Sequence, residues 1–230
     1  MPRPKPPASL PAHLTAALLL AASAAHAQWS GSLALLSDDR YRGLSRSDGK
    51  PSARAAVAFD LPQGWYAGAV VSRARLWPGH SGALWQAYGG RSARWSPTLG
   101  WELGLSTVHH ARASAYDFTE LYAGLLAPRW QARLHLSPDH YGRGTASTYA
   151  ELDTHWPLHE RLRLVAHAGW LHVQQRPAYG RRQRADLRLG VAGDVEALQW
   201  QLAWSGAERG GPYPTAHDRG RWSLSVAYFF

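Results

Sequence analysis

The chain has no cysteine in its 230 residues, which excludes a disulfide framework and a thiolate metal site. Methionine occurs once, as Met1, and the only lysine beyond Lys5 is Lys50, so the basic groups are almost all arginine. Beyond the N-terminal region there is no run of about 18 apolar residues, which argues against a helical membrane protein. Acidic residues are also in short supply, at 16 against 25 Lys and Arg. What is abundant is tryptophan, with 12 residues, a density that suits interfacial aromatic girdles.

Residues 1–27 read as a secretory signal peptide. Arg3 and Lys5 supply the positive start, Leu14 to Ala25 the short apolar segment, and Ala25-His26-Ala27 an A-x-A cleavage site. The mature chain would run from Gln28 to Phe230 as one domain. Removing two basic groups from 25 leaves 23 against 16 acidic ones, a net of +7. An exported chain of this charge does not have nucleic acid as its normal partner. Its basicity points to lipopolysaccharide phosphates or to anionic solutes.

The last stretch shows the architecture most plainly. Trp222, Leu224, Val226, Tyr228 and Phe230 alternate with Arg221, Ser223, Ser225 and Ala227, so one face of the strand is apolar and the other mostly polar. The same spacing could serve an edge strand of a soluble sandwich. A terminal Tyr-Phe-Phe fits better the closing strand of an outer-membrane barrel, and it resembles the signal read by the barrel assembly machinery. Alternation predicts twelve strands, near 29–37, 52–61, 65–75, 83–91, 98–108, 115–126, 129–137, 147–156, 160–173, 183–192, 197–204 and 220–230. Short connections alternate with longer ones. This is the pattern of periplasmic turns and external loops in an all-β, transmembrane, antiparallel up-and-down barrel. On this reading 38–51 and 205–219 are external loops, with Ser47 accessible from outside.

Face assignment follows from energy. An arginine facing lipid at mid-membrane costs ~2–4 kcal/mol, and six of them would exhaust a stability of ~5–15 kcal/mol. The charged faces therefore point inward. The lumen set is Arg54, Asp60, Glu102, Glu120, Arg133, Glu151, Asp153, Arg161, Arg163, Arg184, Asp186 and Arg188. Strand neighbours place Arg133 beside Glu120 and the Glu151/Asp153 pair, and Arg161 and Arg163 beside Asp153 and Asp186. The third and fourth strands alternate too weakly to assign. Ten basic against six acidic residues in the external loops, Arg40, Arg42 and Arg46 among them, predict a weak anion preference at low salt.

The segment Ser37-Asp38-Asp39-Arg40-Tyr41-Arg42-Gly43-Leu44-Ser45-Arg46-Ser47-Asp48-Gly49-Lys50-Pro51 resembles the opening motif of the TorF-type family of candidate porins in proteobacterial outer membranes. Trp65-Tyr66-Ala67-Gly68, Thr119 to Leu125 and Ser137-Pro138-Asp139 resemble further motifs of that family, with His140 standing before the expected aromatic residue. The resemblance covers roughly 29–170 and implies a barrel and a porin function, with no catalytic residues.

The function expected is passive diffusion of small solutes, with outer-membrane lipid, lipopolysaccharide and the assembly machinery as partners and no cofactor. The alternatives are a closed structural or adhesive barrel and an outer-membrane lipid hydrolase. For the hydrolase, His135, Ser137 and Asp139 stand close in sequence, but His135 faces inward by count. A zinc site among His135, His155 and His167 would need converging ligands free of competing charge.

Overall fold

The computed structural model describes residues 28–77, 79–175, 181–212 and 220–230, so the expected signal peptide lies outside the described residues. The described strands, in chain order, are β1 (Gln28–Leu36), β2 (Arg40–Tyr41), β3 (Leu44–Ser45), β4 (Ser52–Asp60), β5 (Trp65–Trp77), β6 (His80–Ser96), β7 (Leu99–His110), β8 (Phe118–Leu126), β9 (Trp130–Ser137), β10 (Ser147–His159), β11 (Leu162–Val173), β12 (Gln183–Val195), β13 (Leu198–Ala207) and β14 (Arg221–Phe229). Twelve of them form a closed antiparallel barrel, each pairing with the next, and β14 returns to β1. The two extra strands, β2 and β3, make a separate hairpin.

Closure is a backbone seam. Ser32 stands opposite Phe229 and Leu36 opposite Ser225. Gly31 and Phe230 exchange both backbone hydrogen bonds, at 2.9 and 3.1 Å. Gly31 is needed there, because a side chain would stand 2.5 Å from the Phe230 ring. Trp29 meets the same ring edge-on at 6.1 Å. The rim carrying Gln28 and Phe230 is termed the lower rim.

The outer surface is apolar as the alternation requires, with Leu35 70% and Trp222 65% exposed. Trp222, Leu224, Val226, Tyr228 and Phe230 all face outward. The charged positions of β7, β8, β9 and β12 face inward. No helix of the described residues is long and apolar enough to cross a membrane, which leaves crossing by strands open.

Two local expectations change, and one open facing is settled. β6 runs from His80 to Ser96 rather than 83–91, because Ser81 and Ala83 go on pairing with Arg75 and Arg73, which takes up part of the loop expected at 77–82. β8 starts at Phe118 rather than 115, since Ser114–Tyr116 forms a 3-10 turn that sets Tyr116 5.5 Å from Trp77. In the strands left unassigned, the inward residues include Tyr66, Ser72, Ala74 and Leu76 in β5 and Leu84 and Gln86 in β6.

Candidate functional site

The largest correction concerns residues 38–51. The chain folds this segment into the lumen instead of leaving it as an open loop. Asp38, Asp39, Arg40, Arg42, Arg46 and Ser47 are all buried, Ser47 to 2% exposure. The physical reason is that its charges are answered locally. Asp38 accepts from Arg40 at 2.9 Å, from the Ser45 hydroxyl at 2.5 Å and from the Ser47 hydroxyl at 3.0 Å. Asp39 accepts from Arg46 at 3.1 Å and closely from Arg54. With burial opposing them, these two arginines hold the Asp39 carboxyl down to about 2. Arg40, Arg42 and Arg46 are therefore not mouth charges.

The hairpin tip is the two-residue turn Arg42-Gly43, with φ of 49° and 73°. Both residues lie in the left-handed region that such turns use, which glycine tolerates and arginine does not favour. Arg42 is held there by its contacts. Its guanidinium donates two hydrogen bonds to Glu120, both 2.7 Å, and stacks over the Tyr149 ring at 3.9 Å. Gly43 reaches the opposite wall, where a side chain would strike Ala207 and the Gly206 carbonyl. The Arg75 amide donates to the Arg46 carbonyl at 2.7 Å, fixing the hairpin base to β5. The hairpin thus crosses the upper lumen from β8 to β13.

Below the hairpin the expected lumen residues assemble into a network with different partners. Arg133 stands opposite Glu151 in the register, as expected, but its ion pair is with Glu102 at 2.5 Å rather than with Glu120. Glu102 lies two strands away, and the pair spans the gap over Gly124 in β8, where a Cβ would sit 2.7 Å from the Glu102 carboxylate. Tyr66 donates to Glu102 at 3.1 Å and contacts the Tyr122 hydroxyl at 2.7 Å. His135 stands between Glu120 at 3.3 Å and Glu151 at 3.0 Å. His167 stands between Asp153 at 2.9 Å and Asp186 at 3.1 Å, and Arg188 reaches Asp153 at 3.0 Å. Tyr149 bonds Asp186 at 3.2 Å across Gly169, another position with no room for a side chain. Arg184 is buried to 1% exposure on the same inward face of β12.

At the lower rim one lumen assignment fails and two change. Arg161 lies in the exposed turn between β10 and β11, outside the lumen, because β10 pairs onward to His159 and shortens the connection to two residues. Arg163 pairs with Asp194, not with Asp153 or Asp186. Asp60 has inward parity but is exposed at the strand end. Asp194 itself was missed: it sits where a turn was expected, and β12 extends through it to Val195.

The space left is a cavity of about 120 Å³. Tyr41 and Arg46 form its ceiling, and Glu102, Arg133, His135 and Glu151 line one side. Ser30, Ser32, Ala56, Gln201, Ser225 and Ala227 line the other. Above it, on the β5–β8 side, Ala74, Leu76, Leu84, Val108, Phe118 and Tyr141 pack as an apolar cluster inside the barrel.

Glu151, Asp153 and His167 bring three possible ligand atoms within 4.8 Å of one another. Arg188 and His167 already answer the Asp153 charge, so the group fits an internal ion network better than a cation site. For hydrolysis, Ser137 is buried with its hydroxyl on the Thr119 carbonyl at 2.9 Å, and His135 lines the lumen. Neither reaches the outer face.

Comparison with known proteins agrees with this architecture. The family model Gcw_chp, described as a bacterial protein of unknown function, matches residues 20–225. The chain belongs to that family, and the match does not by itself establish the TorF-type relationship expected from the Ser37–Pro51 motif. No curated protein sequence matches the chain significantly. A KdgM porin structure shares 10% identity at a TM-score of 0.56, covering 87% of this chain and 99% of that one. A KdgM porin in complex with disordered oligogalacturonate shares 8% at 0.56, with coverage of 87% and 99%. A NanC porin structure shares 9% at 0.59, with coverage of 87% and 98%. The shared feature is the closed 12-strand barrel.

Proposed function

We infer that this Gcw_chp chain is a bacterial outer-membrane channel for small solutes, narrowed by its own 38–51 segment. The observation that carries the reading is a cavity of about 120 Å³, lined by both charged and small apolar side chains, inside a closed barrel with an apolar exterior. A lumen built only for rigidity would be filled with side chains, whereas a diffusion channel leaves room for water and solute. The lower rim is then periplasmic, and the outward aromatics of β14 are the segment offered to the assembly machinery. The resemblance to TorF-type candidate porins and the likeness to KdgM and NanC porins support transport. They also make oligogalacturonate one of the solutes to test.

With Arg40, Arg42 and Arg46 internally paired, any anion preference must come from the remaining upper-rim arginines, Arg181 and Arg182 among those described. Two of the external-loop charges counted from the sequence, Arg176 and Asp218, lie outside the described residues. A second reading, a closed structural barrel, is favoured by the hairpin and the apolar cluster, which together occupy the upper lumen.

Planar-bilayer recording on the refolded protein separates the two. Discrete conductance steps are expected, with reversal potentials at low salt shifted weakly toward anions. Folded, inserted protein that passes no current would establish the closed barrel instead.

A further inference from the structure

We propose that Arg73 and Arg75 form a binding site for the phosphate of an outer-leaflet glycolipid, on the outer face of β5 near its upper end. The proposal rests on the outer-membrane reading above.

Parity on β5 is fixed by burial. Tyr66, Ser72, Ala74 and Leu76 are buried inside, so Trp65, Val71, Arg73, Arg75 and Trp77 point out. Among outward positions of the described barrel strands, the arginines are Arg73, Arg75 and Arg91. Arg91 is answered at the lower rim: its Nε donates to the Gln63 carbonyl at 3.4 Å and its guanidinium lies 5.8 Å from the Trp65 ring. The side chains of Arg73 and Arg75 make no hydrogen bond or ion pair with another described residue. Two like charges stand on one face of one strand, ~7 Å apart at Cβ, with no carboxylate between them.

Their height matches a headgroup. Along a strand tilted ~40° and rising ~3.3 Å per residue, Arg73 stands ~20 Å and Arg75 ~25 Å above Trp65. The apolar band of such barrels is ~25 Å tall, so the pair sits at its upper edge, where a guanidinium reaches headgroup oxygens. Trp77 is the next outward residue above. Trp85, beside Val71 in the register, is 51% exposed. Aromatic residues are enriched at this depth. A phosphate accepts from two guanidinium groups at once and neutralises both.

The surface below favours a lipid over free phosphate. Ala67, Ala69 and Val71 on β5, with Ala87 and Gly89 on β6 and Ala53 and Ala55 on β4, form a low strip bounded on β4 by Val57 and Phe59, among walls studded elsewhere with Leu and Trp. A cationic clamp above a shallow apolar strip complements an amphiphile, with the headgroup on the arginines and an acyl chain along the alanines.

The test is retention of hexa-acylated, bisphosphorylated lipid A by the purified folded barrel, read by native mass spectrometry beside the dephosphorylated lipid. Arg73→Gln/Arg75→Gln should weaken retention about tenfold or more, and dephosphorylated lipid A should bind the wild type as weakly as that. Arg91→Gln, at the other rim, should leave retention unchanged. Equal retention by wild type and double variant would overturn the proposal. So would equal binding of the two lipids, or displacement of lipid A by millimolar inorganic phosphate alone. Removing arginine from an apolar face should not impair folding, and heat-modifiable migration checks this. Conductance is read on the same samples: loss of current in wild type would remove the channel reading and leave the lipid result standing.

Discussion

From β7 round to β12 the inward side chains are long and charged, and they meet in pairs that span two strands: Arg133 with Glu102, and Tyr149 with Asp186. From β13 across the β14–β1 seam to β4 they are mostly Ser, Ala and Gln, with Arg54, Arg221 and Asp60 only near the ends. The first wall is built to hold something. Its charges are desolvated and matched mostly to one another, and Glu120 takes Arg42 of the hairpin. The second wall meets the hairpin only near its upper end, through Arg54 and the Gly206–Ala207 segment, and leaves the cavity open below. A narrow channel of this kind needs both: one wall that fixes a constriction, and one that offers solute a surface without fixed charge.

Breaking the seam of the smooth wall should have the largest effect. Backbone bonds, outward apolar side chains and the Leu224 amide on the Ser37 hydroxyl close β14 on β1, and Phe230 exchanges two hydrogen bonds with Gly31. Deleting Phe230 should abolish heat-modifiable barrel in outer-membrane fractions; normal insertion of the truncated chain would refute a role for this end in closure. Filling the smooth wall comes next. Ala56→Arg would add a long side chain to the open side of the cavity without touching the hairpin. It should lower single-channel conductance at least about twofold while leaving thermal stability within ~1 kcal/mol. Conductance equal to wild type would place the solute path elsewhere.

Much of the barrel was legible because lipid and lumen impose a period of two, and a charged inward set leaves no freedom over which face is which. Leu187, Arg188 and Leu189 needed no structure to be sorted. The rule failed on β5, where Ala, Gly and Val pave both faces and the arginines that break the pattern point outward. Partner choice was not legible either. Arg133 reaches past β8 because Gly124 has no side chain, and nothing in strand adjacency says that a glycine opens a route to the next strand but one. The hairpin was hidden for a related reason. Alternation separates strand from loop but not an exposed loop from one folded inward. The usable signal was the density of opposite charges in Asp38-Asp39-Arg40-Tyr41-Arg42, followed by glycine at a two-residue turn.

The smallest expected effect lies in the loop above the charged wall. His140 is buried in the 138–146 connection, and burial together with the nearby Arg42 charge lowers it from the usual 6.5 to about 4. A histidine held down in this way favours the docked loop in its neutral form. That contribution is complete above pH 6.5 and is lost as pH falls toward 4. Arg42→Gln removes the largest of the charges that lower it, so the His140 titration midpoint measured by NMR should move upward. A midpoint that stays put would show that Arg42 does not sit above this loop in solution.

The measurement that bears most directly on the plugged wall is single-channel conductance of Arg42→Ala beside wild type. Removing one partner of a buried ion pair costs ~3–5 kcal/mol, and ~3 kcal/mol is a factor of about 150 in the docked population of the hairpin. Open current should rise at least about twofold, with a cysteine at Ser47 becoming reactive to external reagent only in the Arg42→Ala background. Unchanged conductance, with Ser47 equally reactive in both backgrounds, would contradict a hairpin that is held on Glu120 and sets the constriction.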